Sequence, residues 1–202
     1  MVRMSGFDPV LVAQRITRTA ALNDLERRYL RQLGECSFFF PPEGDIRGFW
    51  GLADWLTIVA PCPSESEWDY RNEARRLLYD TVRSNGASDC PITDIVKQPM
   101  TLVEFRNLRY LSWHIGMLGE ELRIRLLTSS FVIAVGVDAA RFLSDHSEVF
   151  PAGFSKHRIA KVMHFSYFRH VDSGDRDAVK EQFRTEFRSA VQYVRRSRSR
   201  II

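Results

Sequence analysis

Residues 159–170 read IAKVMHFSYFRH. An apolar run leads into His164, and Phe165, Ser166, Tyr167, Phe168 and Arg169 follow it. A strand that ended only in the core would need none of these. An imidazole can donate a hydrogen bond or move a proton near neutral pH. A hydroxyl and a guanidinium can hold phosphate, and aromatic rings stack on bases. The string therefore points to nucleic acid. The plainer competing reading is a lone histidine that is hydrogen-bonded in the core.

The elements that must hold this string can be read along the chain. Residues 8–33 carry apolar positions at helical spacing, opened by Asp8 as a cap and Pro9. WLTIVA (55–60) reads as a buried strand stopped by Pro61, and 67–86 as a helix ended by Gly86. PITDIV (91–96) is a second strand, and 101–129 one long helix or two short ones. FVIAVG (131–136) is a third strand, followed by a short helix at 137–146. RIAKVMHF (158–165) is the fourth strand, and 175–197 a terminal helix. Strands alternating with helices predict an α/β fold, a three-layer α/β/α sandwich around a central, mostly parallel four-stranded sheet. With no repeat and no linker, the expectation is a single domain over 1–202, with an N-terminal helix in 1–34 and a basic tail at 195–202. In such sheets ligands bind beyond the carboxyl ends of the strands. The loops after Ala60, Val96, Gly136 and Met163 are therefore the places to look. SFFFPPEGDIRGFW (37–50) is a long irregular stretch, and such loops often carry function.

Composition sets the outer bounds. The chain has 202 residues, 45% hydrophobic and 27% charged, which fits one soluble domain with a sizeable core. No apolar run approaches a membrane span, and MVRMSGFDPV lacks the apolar core of a signal peptide. These readings predict a cytoplasmic or nucleoid-associated protein with no membrane partner. The net charge of +4 leans toward anionic partners. RRSRSR (195–200) is expected to be a disordered tail that adds unspecific phosphate affinity. Cys36, Cys62 and Cys90 are odd in number and unevenly spaced, so they predict a reducing compartment and no zinc or iron–sulfur ligand set. No Gly-rich phosphate loop is present.

Four strings stand at the expected strand ends: APCPSESEWDY (60–70), TDIVKQP (93–99), AVGVDAARFL (134–143) and MHFSYFRH (163–170). In order and spacing, over roughly residues 54–170, the set resembles the uracil-DNA glycosylase superfamily. There the first loop activates water and the next helix carries an aromatic that stacks on the flipped base. An asparagine within "TN-V-K" reads the base edge, and an "H-P-S" string follows the last strand. The resemblance implies an enzyme that flips a base out of DNA and hydrolyses its N-glycosyl bond. It implies that His164 donates to O2 of the base as charge builds there. It further implies that Ser166 holds a phosphate and that Tyr167, Phe168 and Arg169 enter or border the duplex. Tyr70 falls where the stacking aromatic is expected. No metal or other cofactor is implied, and DNA, most simply double-stranded, is the expected partner.

Departures from the family pattern concern the substrate. Phe165 stands in place of the proline. Cys62 stands where the water-positioning Asp or Asn is usual, which leaves Glu65 and Glu67 as candidates to hold the water or steady the cationic sugar. Alternatively, the two glutamates only enrich the first turn of a helix. Ser64 replaces a tyrosine that crowds C5, leaving room for a substituent. Asp94 replaces the asparagine. An ionised carboxylate accepts only, so it suits the amino group of cytosine better than O4 of uracil, with a proton needed at N3 or on Asp94. Together these point to a C5-substituted cytosine, such as hydroxymethylcytosine or its glucosylated form, which T-even-type phages place in their DNA. The aromatic stretch 37–50 is expected to line the sugar-binding part of the pocket, or simply to be core. The alternatives are a repair glycosylase for uracil or another deaminated base, an inactive DNA-binding module of the same fold, and an unrelated doubly wound domain.

Overall fold

The computed structural model describes residues 9–34, 37–63, 71–127 and 129–199. Four parallel strands form one sheet: β1 (Leu56–Ala60), β2 (Ile92–Asp94), β3 (Phe131–Val135) and β4 (Ile159–Val162). Their order is β2-β1-β3-β4, with Val59 beside Thr93 and Ala134, and Val135 beside Val162. Each crossover carries at least one helix: α2 (Glu73–Ser84), then α3 (Leu102–Arg106) and α4 (Leu111–Arg125), then α5 (Val137–Asp145). Helices α1 (Pro9–Leu33) and α6 (Arg176–Arg198) flank this unit.

Alternation along the strands assigns the layers. Leu56, Ile58 and Ala60 face a core shared with Leu78 and Val82 of α2 and Phe183, Phe187 and Val191 of α6. Val59, Val132 and Ala134 face Leu118 and Leu122 of α4 and Phe142 and Leu143 of α5. Helix α1 lies outside α4, joined to it through Leu25, Tyr29 and Met117. This is the expected three-layer α/β/α fold. Every residue of β1 and β3 is buried, as a two-sided parallel sheet requires.

Local sequence explains where elements begin. The side chain of Asn72 accepts from the backbone N–H of Ala74 and Arg75 (3.1 and 3.2 Å), so α2 starts at Glu73. The expected start at residue 67 lies outside the described residues. Thr101 and Glu104 form a reciprocal capping box that starts α3. The 101–129 stretch is two helices, separated at Tyr110, whose φ is 57°. β2 stops at Asp94, and β4 stops at Val162, two residues before His164.

Residues 195–199 of the expected tail depart from expectation, and 200–202 lie outside the described residues. Helix α6 continues through Arg198 because the helical apolar stripe is extended by anchored arginines. Arg195 donates to the carbonyl of Asn85 (2.7 Å) and Arg198 lies 3.4 Å from Asp54. Both anchors are at the end of the sheet opposite the strand carboxyl termini. No helix among the described residues is long and apolar enough to cross a membrane.

Candidate base-binding site

The strand order 2-1-3-4 reverses direction between β1 and β3, and the loops part at their carboxyl ends. A cavity of about 370 Å³ opens there. Cys62 lines it from beyond β1, Asp94 from the end of β2, and His164, Ser166, Tyr167 and Arg169 from beyond β4. Residues from three separate strand ends, proposed on sequence alone, thus share one cavity. Ser64, Glu65, Glu67 and Tyr70 lie outside the described residues.

Asp94 is 1% exposed, and neither carboxyl oxygen has a hydrogen-bond partner among the described residues. Burial pushes its pKa up to about 8, opposed by the Lys97 charge and reinforced by that of Glu121. At neutral pH the group is mainly the acid, with one donor and one acceptor. This changes the recognition argument made for an ionised carboxylate. The acid can donate to N3 and accept from the amino group of cytosine. It can equally accept from N3–H and donate to O4 of uracil.

Beneath Asp94 lies a buried ion network. The Lys97 ammonium donates to Thr93 Oγ1 (2.7 Å) and to the Asp94 backbone carbonyl, and pairs with Glu121 at 2.9 Å. Glu121 also accepts from Arg125 at 2.8 Å. Lys97 and Glu121 are 1% and 0% exposed. The network ties the loop after β2 to α4 and fixes the backbone that carries Asp94. Only Lys97 was visible in the sequence string. Glu121 and Arg125 lie in the stretch read as helix, and nothing in their spacing marks them as buried.

His164 has a defined tautomer. The Ser166 backbone N–H donates to Nδ1 (3.3 Å), and the Ser166 hydroxyl lies 2.8 Å from the same nitrogen. A backbone N–H can only donate, so Nδ1 holds its lone pair and the ring proton sits on Nε2. Burial lowers the pKa to about 4, helped by the His170 charge and opposed by Asp138. The ring is a neutral donor across the physiological range. Gly136, at φ 89°, makes its place: a Cβ there would sit 3.3 Å from His164 Cδ2. Phe165 is buried and stacks on the imidazole at 4.4 Å, so packing does here what a proline ring would do through its fixed dihedral.

One expected DNA contact is corrected. Phe168 is 2% exposed and packs into the core under the Lys180 ammonium, which lies 5.0 Å from its ring. Inside the 3-10 turn Tyr167–His170 the ring points inward, so it does not enter a duplex. The Ser166 hydroxyl lies 2.8 Å from His164 Nδ1 and lines the cavity. Tyr167 is half exposed, and the exposed Arg169 is braced by Asn72 Oδ1 at 2.7 Å. Both remain on the cavity rim, with Asn72 and His170 beside them.

Cys62 is a buried thiol that lies 3.6 Å from the Met100 carbonyl. Burial, with the charges of Asp94, Asp138 and Glu104, raises its pKa to about 12. It is neither a nucleophile nor a base at neutral pH. The aromatic stretch is mostly core: Phe38 packs on Phe40, and Phe39 and Trp50 on Phe49. Of that stretch only Phe40 lines the cavity. No cluster of three or more metal-ligating side chains occurs among the described residues. Compared with protein-family models and with curated proteins, the chain matches none of them.

Proposed function

We propose that the protein is a DNA glycosylase that takes a flipped pyrimidine into the cavity and hydrolyses its N-glycosyl bond. The observation that carries this reading is that Asp94, whose carboxyl oxygens have no hydrogen-bond partner among the described residues, and His164, whose Nδ1 accepts from the Ser166 backbone N–H, line one cavity at the strand ends. His164 would donate to O2, where negative charge grows as the bond to the sugar breaks, and it carries no charge of its own to lose. Asp94 would hold the opposite edge of the ring. Tyr167 and Arg169 on the rim suit the vacated stack and a flanking phosphate. The water-activating group is assigned to Glu65 or Glu67.

Within this reading the favoured base is a C5-substituted cytosine in double-stranded phage DNA. With cytosine, the acid proton and N3 belong to one hydrogen bond, so recognition survives whichever atom holds the proton. Transfer to N3 would also improve the leaving group. With uracil only the acid form of Asp94 fits. The cavity is roomier than the ~150 Å³ that encloses a benzene ring. Uracil remains the second reading, because the acid form of Asp94 accommodates it.

Base release tests the proposal. Purified protein is incubated with duplexes carrying uracil, plain cytosine or glucosylated hydroxymethylcytosine, and abasic sites are scored by alkaline cleavage. Cleavage of the modified duplex alone, lost in His164→Ala, is expected. Cleavage of the uracil duplex would make the protein a repair enzyme. Cleavage of none would favour an inactive binding module.

A further inference from the structure

A second cavity, of about 940 Å³, adjoins the first. Met100 lines both. Its neighbours divide between them: Thr101 and Leu102 line the first cavity, and Pro99, Val103 and Glu104 the second. The second wall carries Gln98, Asn107 and Arg109 together with Trp113 and His114. His114 is 6% exposed, and its Nδ1 is buried with no hydrogen-bond partner among the described residues. Burial keeps the ring neutral, with a pKa of about 4.

The strand order says what would reach this space. β4, which leads to His164, and β2, which ends at Asp94, are the two edges of the sheet. A pyrimidine held with O2 at His164 and its N3–C4 edge at Asp94 turns its next ring atom, C5, past Asp94. The chain that follows β2 runs on to Gln98–Leu102, where Met100 lines both cavities. A substituent on C5 long enough to pass Met100 enters the second one.

We propose that the second cavity is a subsite for a saccharide carried on C5 of the flipped base. This rests on the base-excision reading above. Side-chain amides and a neutral imidazole suit hydroxyl groups that both donate and accept, and the Trp113 indole offers a flat apolar face for a sugar ring. A phosphate-bearing ligand fits less well, since the Glu104 carboxylate shares the wall with the Arg109 cation.

The test compares two duplexes of one sequence, containing either 5-hydroxymethylcytosine or its glucosylated form. Single-turnover release and equilibrium binding of each are measured for wild type, Val103→Trp and Arg109→Ala. Both positions are exposed, and thermal unfolding checks that the variants fold. Val103→Trp should fill the groove. It should lower release of the glucosylated base about tenfold or more, the effect of losing one or two hydrogen bonds. Arg109→Ala should have a smaller effect in the same direction. Release or binding of the hydroxymethyl duplex should stay unchanged. Equal losses with both duplexes, or no loss with either, would overturn the subsite and leave the base-excision reading standing. A wild type that releases neither base would overturn both.

Discussion

The backbone N–H of Ser166 points at Nδ1 of His164 and thereby decides which nitrogen of that ring carries the proton. The consequence is a donor at Nε2 that is neutral over the whole physiological range. Nitrogen-15 spectra of the histidine side chains should show the Nε2–H form for His164. They should show no protonation of that ring until about pH 4. A ring that titrates near its ordinary value would mean that the burial inferred for it is absent in solution.

Removing the ring should be far more damaging than removing its support. His164→Ala should lower single-turnover release by about 10²–10³, the usual effect of losing a preorganised donor to a developing oxyanion. Ser166→Ala keeps the backbone N–H and should lose only about tenfold, one hydrogen bond's worth.

Asp94 predicts an alkaline limb. On the proposed reading the acid is the competent form, so activity should fall as pH rises through about 8. Asp94→Asn supplies a donor and an acceptor without titrating, so its profile should be flat there. Stability follows the same proton. The folded pKa is raised, so the unfolded chain ionises first. Stability is then lost between the ordinary carboxylate range and about pH 8 and is level above it. Asp94→Asn should flatten that slope in denaturant melts compared across pH.

The Lys97–Glu121–Arg125 network should be indispensable as a unit. Glu121→Gln leaves two buried cations short of their counter-charge and should destabilise the fold by about 3–5 kcal/mol, read as a lowered midpoint in urea. A surface pair would give under about 1 kcal/mol.

Gly136→Ala separates the site from the fold. The residue has φ 89° and ψ 159°, a region that side chains avoid, and the change should cost about 1–3 kcal/mol. Its new methyl would also press on His164. Activity at a temperature where the variant remains folded should therefore fall about tenfold or more.

The two central strands were readable because a parallel sheet buried on both faces demands short continuous apolar runs, and LTIVA and FVIAV are such runs. Asn72 could have been read as a cap, since an amide side chain precedes the helical pattern EARRLL. The sequence leaves the break at Tyr110 open, between one long helix and two short ones, because no glycine or proline marks the left-handed residue. Phe168 was misassigned because whether a ring in a 3-10 turn points in or out is set by tertiary packing, here in the core shared with Phe183 and Phe187 of α6. The basic tail read as solvated because its carbonyl partners, Asn85 and Gly86, lie more than a hundred residues away. At the site, Asp94 and His164 were identifiable by type and by their place at strand ends. The sequence admits a proton on Asp94 as one of two alternatives, and choosing it needs the folded chain, since it depends on how completely water is excluded from the carboxyl.

Release of a free base by the purified protein is the measurement to make, using radiolabelled glucosylated hydroxymethylcytosine in duplex DNA with wild type, His164→Ala and Asp94→Asn side by side. The proposed site requires wild-type release that His164→Ala lowers by about 10²–10³, and an alkaline decline above about pH 8 that Asp94→Asn removes. Release by His164→Ala at the wild-type rate, or an identical pH profile in wild type and Asp94→Asn, would show that the chemistry happens elsewhere.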